Sequence, residues 1–280
     1  MPDVLAHFSG VLHGVIAGLA DWWPVLAAAV LVEVLRPGRR LHWPTVLANV
    51  VYLPLGLALG VAVLGSALQS MQAHLPADLF ALRAWATTSA RQFALWLGYL
   101  ACFDFLYYWL HRAQHRVPWL WRYHMVHHAD ENVSASTVGR HHWLEEGFRF
   151  FIITAPLIVL LGGVAGAPLW VATFIGVNGI FMHWNVALRF GPLEHWIITP
   201  AYHRIHHSVE HRHWDRNFGV FTQLWDRVFG TRYVPAKDEY PSTGIAGLGG
   251  VRAWALLAPW PLIMIHEEKT PLSTGEVSGQ

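Results

Sequence analysis

The chain has 280 residues, 54% of them hydrophobic and 13% charged, with a formal net charge of +1. With a mean hydropathy of +0.32 it is too apolar for an ordinary soluble domain and reads as an integral membrane protein. The net charge points to no particular partner, and the basic patches are too short to suggest nucleic acid. A single cysteine, Cys102, excludes an intrachain disulfide, thiolate metal sites and iron–sulfur clusters, and it fits a reducing, cytoplasmic face.

The pattern predicts one all-α membrane-embedded unit over 1–280. Transmembrane helices fall within 11–110, a histidine-rich region within 104–233, and a disordered tail over 267–280. Met1–Gly10 carries no lysine or arginine, so a cleaved secretory signal is not expected. Val11–Leu35 is apolar but interrupted by Asp21 and Pro24. It is either one kinked span or a short interfacial helix followed by a span. Arg36-Pro-Gly-Arg-Arg40 closes it as a positive-inside anchor.

A second span runs over Thr45–Gln69, where Pro54, Gly56, Gly60 and Gly65 allow close helix packing. Residues 71–91 form a mixed connection with a short helix expected around Ala77–Trp85. The third span, Phe93–Leu110, carries Asp104 inside it. Phe150–Leu161 and Leu169–Met182 are each short for a span and read as a hairpin that enters and returns. Trp254–Ile265 is expected to form a short membrane-surface helix.

Three histidine boxes stand out: His111-Arg-Ala-Gln-His115, His124-Met-Val-His127-His128 and His203-Arg-Ile-His206-His207. On a helix, residues three and four apart share a face, so each box aims two or three imidazoles at a common point. Eight such histidines suffice for two metal ions, and imidazole suits iron, zinc, copper and nickel. No His-Glu-x-x-His motif is present, and no pair of Glu-x-x-His motifs on facing helices. Asp104, seven residues before His111, is placed to accept the second ring N–H of a ligating histidine, or else to pair with Arg112 or Arg116. His195, His211 and His213 read as surface or interfacial residues.

These boxes resemble those of the fatty acid hydroxylase and sterol desaturase superfamily of membrane non-haem di-iron oxygenases. The resemblance extends to Gly191-Pro-Leu-Glu194, Thr199-Pro200, Asp215-Arg-Asn-Phe-Gly219 and Trp225-Asp-Arg-Val-Phe-Gly-Thr231, and it covers roughly Asp104–Tyr233. It implies that His183 is a ninth ligand. The family's partner four residues on would fall at Ala187, so that ligand is missing or supplied by water, Asn185 or another histidine. It also implies roles near the site for Arg140, His142 and Glu145, although an ordinary solvated helix start explains that run nearly as well. Asp215, Asn217 and Asp226 would hydrogen-bond ligating imidazoles or else fix the turns around Gly219 and Gly230.

By that resemblance the protein carries two iron ions, for which zinc readily substitutes, and uses dioxygen to hydroxylate or desaturate a membrane lipid. No haem or flavin module is visible, so a separate electron-donor protein is expected. Arg36, Arg39, Arg40, Arg112, Arg116 and Arg122 would lie in the cytoplasm and take the boxes with them, as a cytoplasmic di-metal cap. A zinc-dependent membrane hydrolase lacks an evident base, and a metal-transport protein would spread its ligands through the spans.

Overall fold

The computed structural model describes residues 2–162 and 168–245, so the helix expected at Trp254–Ile265 and the tail over 267–280 lie outside the described residues. The N-terminal apolar stretch forms α1 (Pro2–Gly18) and α2 (Trp23–Leu35), bent by 65° at the turn between them. Pro24 sits in the first turn of α2, where its missing N–H costs nothing, so a new helix starts there. Next comes α3 (Trp43–His74). Its 32 residues rise about 48 Å, well beyond a hydrocarbon core of about 30 Å. The excess is used at the N-terminal end, where Asn49 Nδ2 donates to Asp130 Oδ2 (2.8 Å) and Tyr52 Oη to the His141 carbonyl (3.2 Å).

The connection holds α4 (Leu82–Trp85), whose amides at Leu82 and Arg83 are capped by the Asp78 carboxylate at 2.7 and 3.0 Å. α5 (Ser89–Arg116) starts at Thr88, whose hydroxyl accepts from the Arg91 amide. It stops at Val117, because the following Pro118 pushes that residue into an extended conformation (φ −96°, ψ 114°). Pro118 then opens α6 (Pro118–His128).

α7 (Glu145–Arg149) runs through one π-turn, Phe150–Thr154, into α8 (Ala155–Leu161). Pro156 lies just beyond that turn and has no N–H to close the normal ladder, which accounts for the widening. α9 (Leu169–Met182) returns, and the cap is completed by α10 (Pro200–His206) and α11 (Leu224–Val228). Among the described residues there is no β-strand, only two isolated bridges. α3 and α5 are long and apolar enough to cross a membrane, and α1–α2 makes a third if the bent pair counts as one span.

Arg83 fixes the relation between the two hairpins. Its guanidinium donates to the carbonyls of Leu161 (3.3 Å) and Gly162 (2.6 Å), closing the C-terminal end of α8. The α3–α5 connection and the C-terminal end of α8 therefore share one end of the molecule, and the histidine boxes occupy the other. Between the ends, Leu95, Trp96, Tyr99, Leu157, Val171 and Ile198 form a continuous apolar core.

Candidate metal centre

The kink at Val117 folds α6 back so that the first two boxes face each other, and Thr199 caps α10 so that the third box closes over both. The nine histidines named above fall into two groups. His111, His115, His124, His128 and His206 form one; His127, His183, His203 and His207 form the other. Within each, the ligand nitrogens all lie within 4.8 Å of one another. Helical geometry dictates the division. In α6, His124 and His128 are one turn apart and serve the first group, while His127 faces the second. In α10 the pattern is reversed: His203 and His207 serve the second group and His206 the first. The groups abut, the rings of His128 and His207 stacking at 4.4 Å.

Protonation decides what the centre is built to hold. His127 Nδ1 donates to the Arg140 carbonyl (3.3 Å) and His183 Nδ1 to the Gly179 carbonyl (2.7 Å). A carbonyl can only accept, so in both neutral rings the proton is on Nδ1 and Nε2 carries a lone pair. Those two Nε2 atoms are 3.1 Å apart, and the same spacing continues from His183 to His203 and from His203 to His207. Facing lone pairs repel. A shared cation at about 2.1 Å from each nitrogen gives an edge of about 3 Å and removes the repulsion.

In the first group His111 Nδ1 donates to the Phe218 carbonyl (2.9 Å) and His206 Nδ1 to the Arg216 carbonyl (2.8 Å). Their Nε2 atoms, and that of His124, are buried without a hydrogen-bond partner. The donor set thus fits metal in both groups, and burial keeps it neutral. It pulls His206 down to about 3 and His183 to about 4, and it holds His127, His128, His203 and His207 well below the ordinary histidine value.

Several expected contacts are redrawn. Asp104 does not reach an imidazole. It accepts from the Phe221 amide (2.9 Å) and the Thr222 hydroxyl (2.7 Å), because the 218–222 segment lies between it and His111. Asp226 likewise takes the turn-fixing role, accepting from the amides of Phe218 and Gly219 and the hydroxyls of Tyr202 and Thr231. Asn217 (φ 61°) ties Tyr202 to Tyr233, and Asp215 (φ 58°) pairs with Arg116. Asn185 does not stand in for the missing ligand, since its side chain bonds the backbone of Arg39 and the Tyr240 hydroxyl. Helix α9 ends at Met182, so Ala187 is not one turn above His183; it lies exposed. His213 is buried rather than on the surface.

Glu145 replaces the solvated helix start with a buried carboxylate. It accepts from Gln114 Nε2 (2.7 Å) and faces His124 Nδ1 (3.4 Å) and His141 Nδ1 (3.5 Å). Burial alone would raise its carboxyl, but His141 and His124 more than offset this and hold it well below the usual range. It thereby orients His124, with Nε2 turned to the first group. Arg140 holds His127 in register, with Nε on the Val126 carbonyl and Nη1 on Asn49 Oδ1. Sequence reasoning overlooked Asn49 and Glu33; a polar residue inside an apolar helix was the available signal. Glu33 Oε1 accepts the amides of Ala135 and Asn185, both at 2.7 Å.

A helical bundle with membrane-length helices and two adjoining, buried histidine clusters able to hold metal defines the class. The fatty acid hydroxylase family profile matches residues 96–231, which identifies that segment as a fatty acid hydroxylase domain. It is 32% identical over 163 residues to an ornithine lipid hydroxylase of Rhizobium tropici, covering 58% of this chain and 49% of that protein. It is 34% identical over 147 residues to the alkylglycerol monooxygenase of Danio rerio, covering 51% of this chain and 31% of that one. A very-long-chain aldehyde decarbonylase of Oryza sativa is 31% identical over 154 residues, covering 50% and 23%. The chain thus spans half or less of the length of these relatives. No solved structure matches significantly.

Proposed function

We propose that the nine histidines hold two iron ions and that the protein is an oxygen-dependent lipid hydroxylase. The observation that carries this is the convergence of buried Nε2 lone pairs, 3.1 Å apart at His127 and His183, in a family whose relatives are named as lipid hydroxylase and monooxygenase. When bound, the iron would supply activation of dioxygen and attack on an unactivated C–H bond, which no side chain can do alone.

The chain's own residues bind, orient and shield. Carbonyls at Arg140, Gly179, Phe218 and Arg216 set the tautomer of four rings. Phe218 packs against His111, His115 and His206, and Trp121 against His115 and His128, which keeps water from that group. Residues 104–233 form the working region of a single unit, multi-pass in the membrane with the boxes on the cytoplasmic side, and a separate electron-donor protein reduces it.

Supplying isotopically labelled dioxygen to membranes containing the protein, and following lipids by mass, tests the reading. Label in a new hydroxyl is the expected result. Loss of two hydrogens without label makes the enzyme a desaturase, and a product formed equally without oxygen ends the oxygenase reading in favour of a hydrolase.

A further inference from the structure

Beside the metal centre, between α3 and the segment around α7, lies a crevice of about 100 Å³. Its lining combines apolar Leu53, Leu57 and Val138 with the polar side chains of His141, Glu146 and Arg149. Two features mark it as more than a packing gap. The His141 ring that lines it stacks on the His127 ring at 4.3 Å and 11°, so a single imidazole separates the crevice from the second histidine group. Arg149 also uses Nη1 to reach Glu146 Oε1 at 3.1 Å, and a guanidinium has five N–H groups to offer. The pair is only partly buried, its side chains 27% and 37% exposed, so its remaining N–H groups and carboxylate oxygen are open to a polar ligand in the crevice.

The crevice also lies at the right depth. Leu57 is 17 residues from the end of α3 at His74, or about 26 Å of helix. On the antiparallel α5, His111 is 22 residues from Ser89, or about 33 Å. Both positions fall near the end of a hydrocarbon core of about 30 Å, where a lipid's polar linkage meets its chains.

We propose that this crevice binds the polar linkage of the lipid substrate and that the linkage is neutral, with both a donor and an acceptor, as in an amide or a glycerol hydroxyl. Arg149 donates to its oxygen and Glu146 accepts its N–H or O–H. A phosphate is disfavoured because Glu146 stands beside the arginine. This rests on the hydroxylase reading for the word substrate, but its test does not require turnover.

Metal-loaded protein in lipid nanodiscs is photolysed with three long-chain probes, each carrying a diazirine near one end: an N-acyl amide, a glyceryl ether and a plain hydrocarbon. The amide or the glyceryl ether should label peptides containing residues 53–57 or 138–149, and the hydrocarbon should not; which of the two labels identifies the linkage. Equal labelling by the hydrocarbon overturns the proposal. So does label confined to the separate apolar groove at Leu12, Trp23 and Val51. Arg149→Gln and Glu146→Gln should each cut labelling about tenfold, as loss of a charged hydrogen bond predicts, with metal content unchanged. If metal content falls in step with labelling, the pair is a structural strut and the proposal fails. Labelling as expected with no oxygen-dependent product would instead sink the hydroxylase reading and leave the crevice assignment standing.

Discussion

Ser208 Oγ and His213 Nδ1 are 2.8 Å apart, and the far nitrogen of the same imidazole reaches Glu239 Oε1 at 3.1 Å. The ring therefore ties the segment after Tyr233 to the residue that follows the last box histidine. His213 reads from the sequence as a surface residue, but its place in the sequence says nothing of burial. His213→Ala leaves Ser208 and Glu239 without this partner and should cost about 1–3 kcal/mol. His211→Ala, at an exposed position, should stay within about 0.5 kcal/mol. Thermal unfolding of the two variants side by side checks this; equal midpoints would refute it.

Asp104 acts on the centre through the backbone. Its two bonds hold Phe221 and Thr222, and the same segment presents the Phe218 carbonyl that orients His111. Asp104→Ala should lower metal affinity in the first group by about 10–100-fold, the usual effect of losing an outer support. Titration against a competing chelator measures it. Asp104→Asn, which keeps one acceptor oxygen, should fall between the variant and the wild type.

Acid should destabilise the metal-free protein early. His206 titrates near 3 and His183 near 4 in the fold, against an ordinary value of 6.5, so the unfolded chain takes up protons first. The stability these rings contribute is complete above about pH 6.5 and is lost as pH falls towards their folded values. Each loses up to about 1.4 kcal/mol per pH unit in that window. Tryptophan fluorescence of stripped protein should show unfolding between about pH 6.5 and 4.5, shifted lower when metal is bound. A flat trace for the stripped protein would contradict it.

The positions of the boxes were legible because helical periodicity is local: a spacing of three or four fixes a shared face wherever the helix lies. The contacts of the carboxylates were not, because they depend on where the chain returns. Asp104 and Phe221 are 117 residues apart, and no local spacing foretells that a backbone amide would take the oxygen expected for a histidine. Glu145 shows the same limit from the other direction. The resemblance implies a role near the site while the local sequence fits a solvated helix start nearly as well, and only the arrival of Gln114, His124 and His141 makes burial tolerable. Asn185 was one of the alternatives for the ligand missing at Ala187, but the chain leaves the helix at Met182 and turns its side chain to Arg39.

Membrane orientation rests on arginine placement, and the fold gives it a sharper test. α3 and α5 meet at the α4 end, opposite the boxes. Reporter fusions after Gln69 and after Tyr233 should therefore give opposite signals, the second cytoplasmic. Equal signals would overturn the assignment.

The division of the histidines predicts an ordered loss of metal. The first group offers five nitrogens and the second four, so removing one leaves four in the first case and three in the second. His203→Ala should therefore weaken binding more than His115→Ala, and each should affect mainly its own ion. Elemental analysis of anaerobically prepared protein should find close to two metal ions in the wild type. It should find close to one in His203→Ala and His183→Ala, and an intermediate value in His115→Ala at limiting iron. His127→Ala should behave as His203→Ala although it sits in the same box as His124 and His128, because its ring faces the other group. All should lose turnover if, as proposed, the reaction needs both positions filled. Loss of both ions from His183→Ala with the fold intact would show a single cooperative cluster, and full metal content in His127→Ala would remove that ring from the ligand set.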